Sequence, residues 1–190
     1  ISSWAHKRHR KMENQVFDYA DLITIVSDSW KADLKKIGAK DVAVVPLGYD
    51  PDDFTASVDL DSYFTVSHLG LLGQDRNPSS LLKVIKELCA EDQSFATQFK
   101  LQLVGKVNSD LQNEIANLKL SEQVIYSGQV NRGEALKMMQ ASHLLLLLLN
   151  KAGNVSGRIP GKVFEYIGAQ RPILSLGPEG TDIGRMLHQS

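Results

Sequence analysis

The sequence predicts an α/β fold, a Rossmann-like parallel sheet with helices packed on both faces. Three observations carry this. Short apolar runs alternate with amphipathic stretches along the whole chain, the pattern of repeated strand–helix units. Several runs are apolar on both sides, most plainly 144–149, as strands covered by helices on each face must be. The links between runs are short, and no repeat or low-complexity tract interrupts them.

Taken in order, the segments 22–26, 42–45, 64–69, 101–104, 124–126, 144–149 and 173–176 are the expected strands. Helical periodicity falls near 11–19, 29–37, 78–90, 109–118, 132–141, 161–169 and 181–188. The helix near 78 has a start signal: Asn77 suits the N-cap, and Pro78 suits the first helical position. Pro46, Gly48, Pro51 and the acidic residues between Asp50 and Asp59 break the periodicity, so a boundary is expected near 46–54. Residues 1–45 hold too little to build a sheet core of their own and read as the tail of a preceding domain, with its linker. Residues 46–190 hold five strands with their helices and read as the Rossmann-like unit, with its C-terminus cut short. The chain opens on Ile1 rather than Met and stops just past the last helix, so it is expected to be a piece of a longer protein.

Composition narrows the function class. Hydrophobic residues make up 43% and charged residues 23% of the 190, the balance of an ordinary soluble globular protein. A net charge of −1 supplies no global field for nucleic acid or an anionic membrane. The single Cys89 excludes an internal disulfide framework and fits a reducing cytosol. It shares helical spacing with Leu81, Leu82, Ile85 and Leu88 and reads as a small buried apolar residue. The longest apolar run, 144–149, is far short of the roughly 20 residues that span a bilayer. No His, Cys and Asp set has metal-ligand spacing. His68 and His143 flank strands and read as packing residues. The basic run from His6 through Lys11 is either a solvated helix end or a contact to an anionic membrane surface.

Ligands of open α/β sheets bind beyond the carboxyl ends of the strands. After strand 64–69 comes Gly70-Leu71-Leu72-Gly73-Gln74-Asp75-Arg76-Asn77-Pro78. A glycine-containing loop running into a helix N-terminus offers free N–H donors to phosphate, and Arg76 adds a bidentate fork. A plain turn with a solvated arginine accounts for the same residues. The second loop, Val155-Ser156-Gly157-Arg158-Ile159-Pro160-Gly161, leads into Lys162-Val163-Phe164-Glu165-Tyr166-Ile167. There Val163, Phe164 and Ile167 form the apolar stripe, and Lys162 and Glu165 share another face. A lysine in a first helical turn opposes the helix dipole, a conflict that a bound anion removes; the alternative is a surface ion pair. Gly105-Lys106 and Ser127-Gly128-Gln129-Val130 close two further strands; Lys106 reads equally as a residue facing the same cleft or as a solvated lysine in a turn, and the second loop offers backbone groups to a flat base.

These residues resemble a known family. Ala20-Asp21-Leu22-Ile23-Thr24-Ile25-Val26-Ser27, followed by Val44-Val45-Pro46-Leu47-Gly48-Tyr49-Asp50 and Phe54, resembles the interdomain passage of family-4-type glycosyltransferases. Gly70 with Arg76-Asn77-Pro78 is similar to that family's phosphate loop, with Arg76 at its lysine position. Leu101, Val104 and Gly105, then 124–128, then Lys162-Val163-Phe164-Glu165-Tyr166 with Pro172-Ile173-Leu174 follow in the family's order. The resemblance covers nearly the whole chain. It implies a GT-B fold, two Rossmann-like domains facing a cleft, of which this chain is the C-terminal, donor-binding part. It implies transfer of a sugar, with retention, from a nucleotide sugar to a glycan or lipid-linked acceptor. No cofactor and no metal are implied, since no Asp-x-Asp motif is present, and no nucleic acid partner is expected.

Carried over by position, Arg76 and Lys162 hold the diphosphate and stabilise the leaving group. Glu165 accepts bonds from ribose hydroxyls, and Gly128 and Val130 line the base pocket. Gly70, Gly73, Asn77, Lys106, Gly161 and Val163 complete the expected donor site. Two positions depart from the family pattern. Gly157 stands where its first glutamate falls, and Leu71 replaces the arginine that commonly follows the first loop glycine. A cytoplasmic protein is expected, with peripheral membrane contact through the rest of the enzyme. A nucleotide-sugar epimerase or phosphorylase, or a non-catalytic nucleotide-binding module, are the alternatives on the same fold.

Overall fold

The computed structural model describes residues 2–150, 153 and 155–189. The chain divides into two compact units: Ile1–Leu47 with Gly153–Pro160 and Glu179–Ser190, and Gly48–Ala152 with Gly161–Pro178. The first division, between Leu47 and Gly48, falls within the 46–54 segment where the periodicity breaks. Two later segments group with the N-terminal residues through bonds to Ser27 and Ser29.

In the first unit, α1 (Ser3–Tyr19) leads into β1 (Ile23–Ile25), α2 (Asp28–Lys36) and β2 (Val42–Val44). The two strands pair in parallel, Ile23 against Val42. Helix α1 begins well before the expected residue 11, because the Ser2 side chain caps it by accepting from the Ala5 amide. It thereby takes in the basic run from His6 to Lys11, all of it exposed. Ser27 caps α2, Asp28 lies in its first turn and Lys35 and Lys36 in its last, charges that suit both ends of the dipole. Phe17, Ala39 and Val42 are buried together, with Ile23, Ile25, Leu34 and Ile37 packed on them. Contrary to expectation, these residues do form a small core. Asp182, at the start of α8 (Asp182–Gln189), accepts from the amide and the hydroxyl of Ser29, both at 2.8 Å. The Ser27 hydroxyl donates to the Gly157 carbonyl at 2.6 Å, tying in the 3-10 turn Val155–Gly157.

The second unit carries β3 (Phe64–Leu69), α3 (Ser79–Glu91), α4 (Gln93–Gln98), β4 (Phe99–Val104), α5 (Ser109–Asn117), β5 (Val124–Gly128), α6 (Arg132–Ala141), β6 (Leu144–Leu148), α7 (Lys162–Gly168) and β7 (Ile173–Leu176). Its five-stranded sheet has the order β5-β4-β3-β6-β7, and every pairing is parallel. Leu145, Leu146 and Leu147 in β6 have no exposed surface. Their burial accounts for the apolar run, each contributing about 1.5–3 kcal/mol. Helix α4 is the one α-helix the periodicity misses: it is a turn and a half long, set by Asp92 accepting from the Ser94 and Phe95 amides. The strand order reverses between β3 and β6, so the crevice beyond their carboxyl ends is the topological switch point.

Candidate functional site

Three loops at the carboxyl edge are laced through their backbones. Gly70 N donates to Val104 O at 2.8 Å, Gly105 N to Gly128 O at 2.6 Å, and Leu72 N to Lys106 O at 2.9 Å. Gly105 has φ +114°, and a Cβ there would stand 2.7 Å from Gly70 O, so only glycine fits this crossing. Gly70 has φ +124°; a Cβ on it would lie 3.5 Å from Lys162 Nζ. The first loop thus keeps its surface bare above the lysine.

Lys162 opens α7 and turns its side chain inward rather than out beside Glu165. Its Nζ donates to Leu69 O at 3.0 Å and lies 3.3 Å from His68 Nε2. An ammonium has three N–H groups, so one remains beyond these two acceptors. Burial pulls its pKa down to about 8, with a further contribution from the charge of Arg76. Arg76, in the 3-10 turn Gln74–Arg76, is itself largely buried and lies 3.7 Å from the Asp75 carboxylate. The two cations therefore act on each other at one edge of the sheet.

His68 is fully buried in β3, with Nδ1 2.9 Å from Leu146 O. Burial, then the charge of Lys162, hold its pKa down at about 3, against the bond to Leu146 and with help from Arg76. The Tyr166 hydroxyl accepts from Leu69 N at 3.0 Å and sits 3.4 Å from Leu146 O; burial pushes its pKa up. Helix α7 thus grips both backbone groups of Leu69, which fixes the end of β3.

Glu165 makes its ion pair elsewhere. Its Oε1 accepts from Arg132 at 2.5 Å, and the other fork of Arg132 reaches Asp53 Oδ2 at 2.5 Å. The surface Lys162–Glu165 pair is replaced by two separate functions of one helical turn. Sequence reasoning missed Arg132 and Asp53 because they are distant in the chain; the capping box of Asn131 and Glu134, which sets Arg132 at the start of α6, is the only local signal.

A cavity of about 560 Å³ is lined by Gly70, Gly105, Lys106, Gln129 and Val130 among others. Gly128 lies outside its lining and turns the strand end at φ +64°. A second cavity, about 410 Å³, is bounded by Arg76, Asn77 and Gly177. Asn77 is not the N-cap of α3. Helix α3 starts at Ser79 with no side-chain cap, and the Asn77 amide donates instead to Glu114 in α5 at 3.2 Å. Gly73 caps the 3-10 turn through its backbone, and Gly161 precedes α7 in helical conformation. The Val163 side chain is fully buried, so only its amide is available to a ligand. Gly157, in the first unit, is buried against Trp30 and Ser27. Among the described residues, no group of His, Cys, Asp and Glu side chains is arranged to hold a metal ion, and no helix is long and apolar enough to cross a membrane.

Residues 52–174 match the family described as glycosyl transferases group 1. The chain belongs to this family. Solved structures share the fold of this glycosyltransferase family at low identity. HepE of Anabaena, solved with UDP and glucose, aligns with a TM-score of 0.66 at 15% identity, over 95% of this chain and 56% of its own. WaaG, a glycosyltransferase of lipopolysaccharide biosynthesis, aligns at 0.66 and 15% identity over 87% of this chain and 46% of its own. The trehalose-6-phosphate synthase OtsA aligns at 0.69 and 12% identity over 95% and 50%. The chain thus spans about half the length of these structures. The fold is that of the Rossmann-like domain of GT-B glycosyltransferases. No curated protein matches the chain in sequence.

Proposed function

We propose that the second unit is the donor-binding half of a retaining glycosyltransferase that moves a sugar from a nucleoside diphosphate to a glycan or lipid-linked acceptor. The observation that carries this is the half-buried ammonium of Lys162, with one N–H to spare, beside the guanidinium of Arg76 at the switch point. As the bond from the anomeric carbon to the diphosphate oxygen breaks, negative charge gathers on the leaving group. Cations already fixed in a partly dry crevice stabilise that charge without reorganising. The acceptor hydroxyl oxygen forms the new glycosidic bond, and its proton passes to the departing diphosphate oxygen. Glu165 accepts from the ribose hydroxyls through the carboxylate oxygen that Arg132 leaves open, and the base occupies the 560 Å³ cavity beside Lys106 and Val130. Gly70, Gly73, Gly161 and the Val163 amide shape the phosphate side, and Asn77 supports the loop through α5.

The same reading gives a cytoplasmic enzyme that takes no metal, with the acceptor held by the remainder of a two-domain protein. Where that acceptor is lipid-linked, the exposed cations of α1 meet anionic headgroups. Gly157, which lacks the carboxylate of the family pattern, favours a second reading, a nucleotide-binding module without turnover.

Calorimetric titration of the chain with UDP, GDP and ADP, repeated on Lys162→Ala, Arg76→Ala and Glu165→Ala, tests the site. Loss of a charge-assisted bond costs about 1.5–3 kcal/mol, so Lys162→Ala is expected to weaken the nucleotide that binds by tenfold or more. Unchanged affinity in Lys162→Ala and Glu165→Ala would overturn the site. Sugar transfer by the full-length enzyme separates the two readings.

A further inference from the structure

We propose that His68 is a positioning residue: a neutral imidazole, locked between Leu146 O and Lys162 Nζ, that fixes the ammonium so that its remaining N–H serves a diphosphate oxygen. This rests on the donor-site reading above and adds a residue to it.

The bonding pattern sets the tautomer. Leu146 O can only accept, so Nδ1 at 2.9 Å must carry the proton. The lone pair then falls on Nε2, which faces Lys162 Nζ at 3.3 Å. The opposite assignment would set the Nδ1 lone pair against a carbonyl oxygen and point an N–H at an ammonium. A doubly protonated ring would set one cation against another, with Arg76 adding a third charge. His68 is thus a fixed acceptor, and its two-sided satisfaction explains how a polar ring stands with no exposure in the middle strand of the sheet.

Lys162 needs such a partner. A long, flexible ammonium that donates only to Leu69 O still swings about that bond; a second acceptor on a rigid strand removes the freedom. The groups facing the pair are few. From α7 come Lys162 and the Tyr166 hydroxyl, which sits on Leu146 O and Leu69 N. From the loop after β3 comes Arg76, with Asp75 beside it. Glu165 is turned to Arg132. No carboxylate among these groups competes for the ammonium, so an anion is its best remaining partner.

The test uses UDP as probe and the chain as it stands. Binding is measured calorimetrically from pH 6.5 to 9.5 for wild type, His68→Asn, His68→Gln and Lys162→Ala. Asn keeps the donor to Leu146 O and loses the acceptor at the Nε2 position; Gln restores an acceptor there. His68→Asn is expected to weaken UDP about tenfold and to move the alkaline fall in affinity to lower pH. His68→Gln is expected to bind within about threefold of wild type. Wild-type affinity and pH profile in His68→Asn, or an equal loss in Asn and Gln, would overturn the role of His68 while a loss in Lys162→Ala leaves the donor site standing. Unchanged binding in Lys162→Ala would instead remove the donor site itself. A measurement on the unaltered protein decides the case where variants fold poorly or UDP fails to bind. Nitrogen NMR of the His68 ring is expected to show the Nδ1-protonated tautomer from pH 5 to 9, and an Nε2-bound proton would refute the proposal.

Discussion

A Cβ at Gly157 would stand 2.2 Å from Cδ1 of Trp30 and 2.8 Å from the Ser27 hydroxyl, so the indole occupies the space a side chain would need. This gives a packing reason for glycine at the position where the family pattern has its first glutamate. Gly157→Ala is expected to destabilise the protein by about 1–3 kcal/mol, the usual cost of overpacking. Gly157→Glu should cost more, because it also buries a carboxylate. Trp30→Ala in the same chain should recover most of the loss in Gly157→Ala. Urea unfolding of the four variants and wild type measures this. Additive effects of Trp30→Ala and Gly157→Ala would contradict the contact.

Arg132 bridges two carboxylates from different parts of the chain, and its removal should be felt by the nucleoside rather than by the fold. With Asp53 and Glu165 released, Glu165 loses the fork that fixes its orientation. Arg132→Ala is expected to weaken UDP several-fold and to leave pyrophosphate binding unchanged, since pyrophosphate has no ribose. Arg132→Lys should not rescue, because an ammonium cannot span both carboxylates as a guanidinium does. Paired titrations with the two ligands check this; an equal loss for both would place Arg132 in the phosphate site.

The sheet was legible because β6 is a buried run of leucines that leaves little choice, and because short apolar runs alternate with helical periodicity on both sides of it. Phe64–Leu69 and Ile173–Leu176 match the expected strands at both ends. What local pattern misled on was long-range bonding. Asn77-Pro78 has the letters of a cap, but Glu114 in α5 draws the amide away. Lys162 and Glu165 share a helical turn, yet Leu69, His68 and Arg132 decide where each points. The grouping of residues 153–160 and 179–190 with the N-terminal unit depends on Asp182 and Gly157 meeting Ser29 and Ser27, contacts across more than a hundred residues.

The donor site proposed above makes nucleotide binding depend on pH through Lys162, in a defined sense. The lysine's pKa of about 8 means that half of the free protein has lost the ammonium proton at that pH. A bound diphosphate stabilises the charged form and raises the pKa, so binding above pH 8 takes up a proton. Affinity should be flat below about pH 8 and then fall, by up to tenfold per pH unit. Lys162→Arg, charged throughout, should flatten the profile even where it weakens binding. Titrations in buffers of differing ionisation enthalpy read the proton uptake directly. Affinity that does not change between pH 7 and 9.5 would mean that Lys162 does not contact the anion.

His68 should govern part of the acid stability. In the unfolded chain a histidine takes up its proton near pH 6.5, whereas in the fold burial and the neighbouring cations delay this to about pH 3. Between these values the unfolded state binds more protons, so stability falls as pH is lowered through the window. The slope approaches about 1.4 kcal/mol per pH unit for one group. Carboxylates also titrate there, but they do so in wild type and in His68→Gln alike. The difference in unfolding free energy between the two isolates the imidazole. Above pH 7 that difference should be constant. Below pH 6.5 it should shift against wild type, by on the order of 1 kcal/mol per unit, as far as pH 4. Urea titrations at pH 7, 6, 5 and 4 supply the numbers. A difference that stays level across this range would mean that the ring is protonated in the fold, and the Leu146–His68–Lys162 chain of bonds could not then hold.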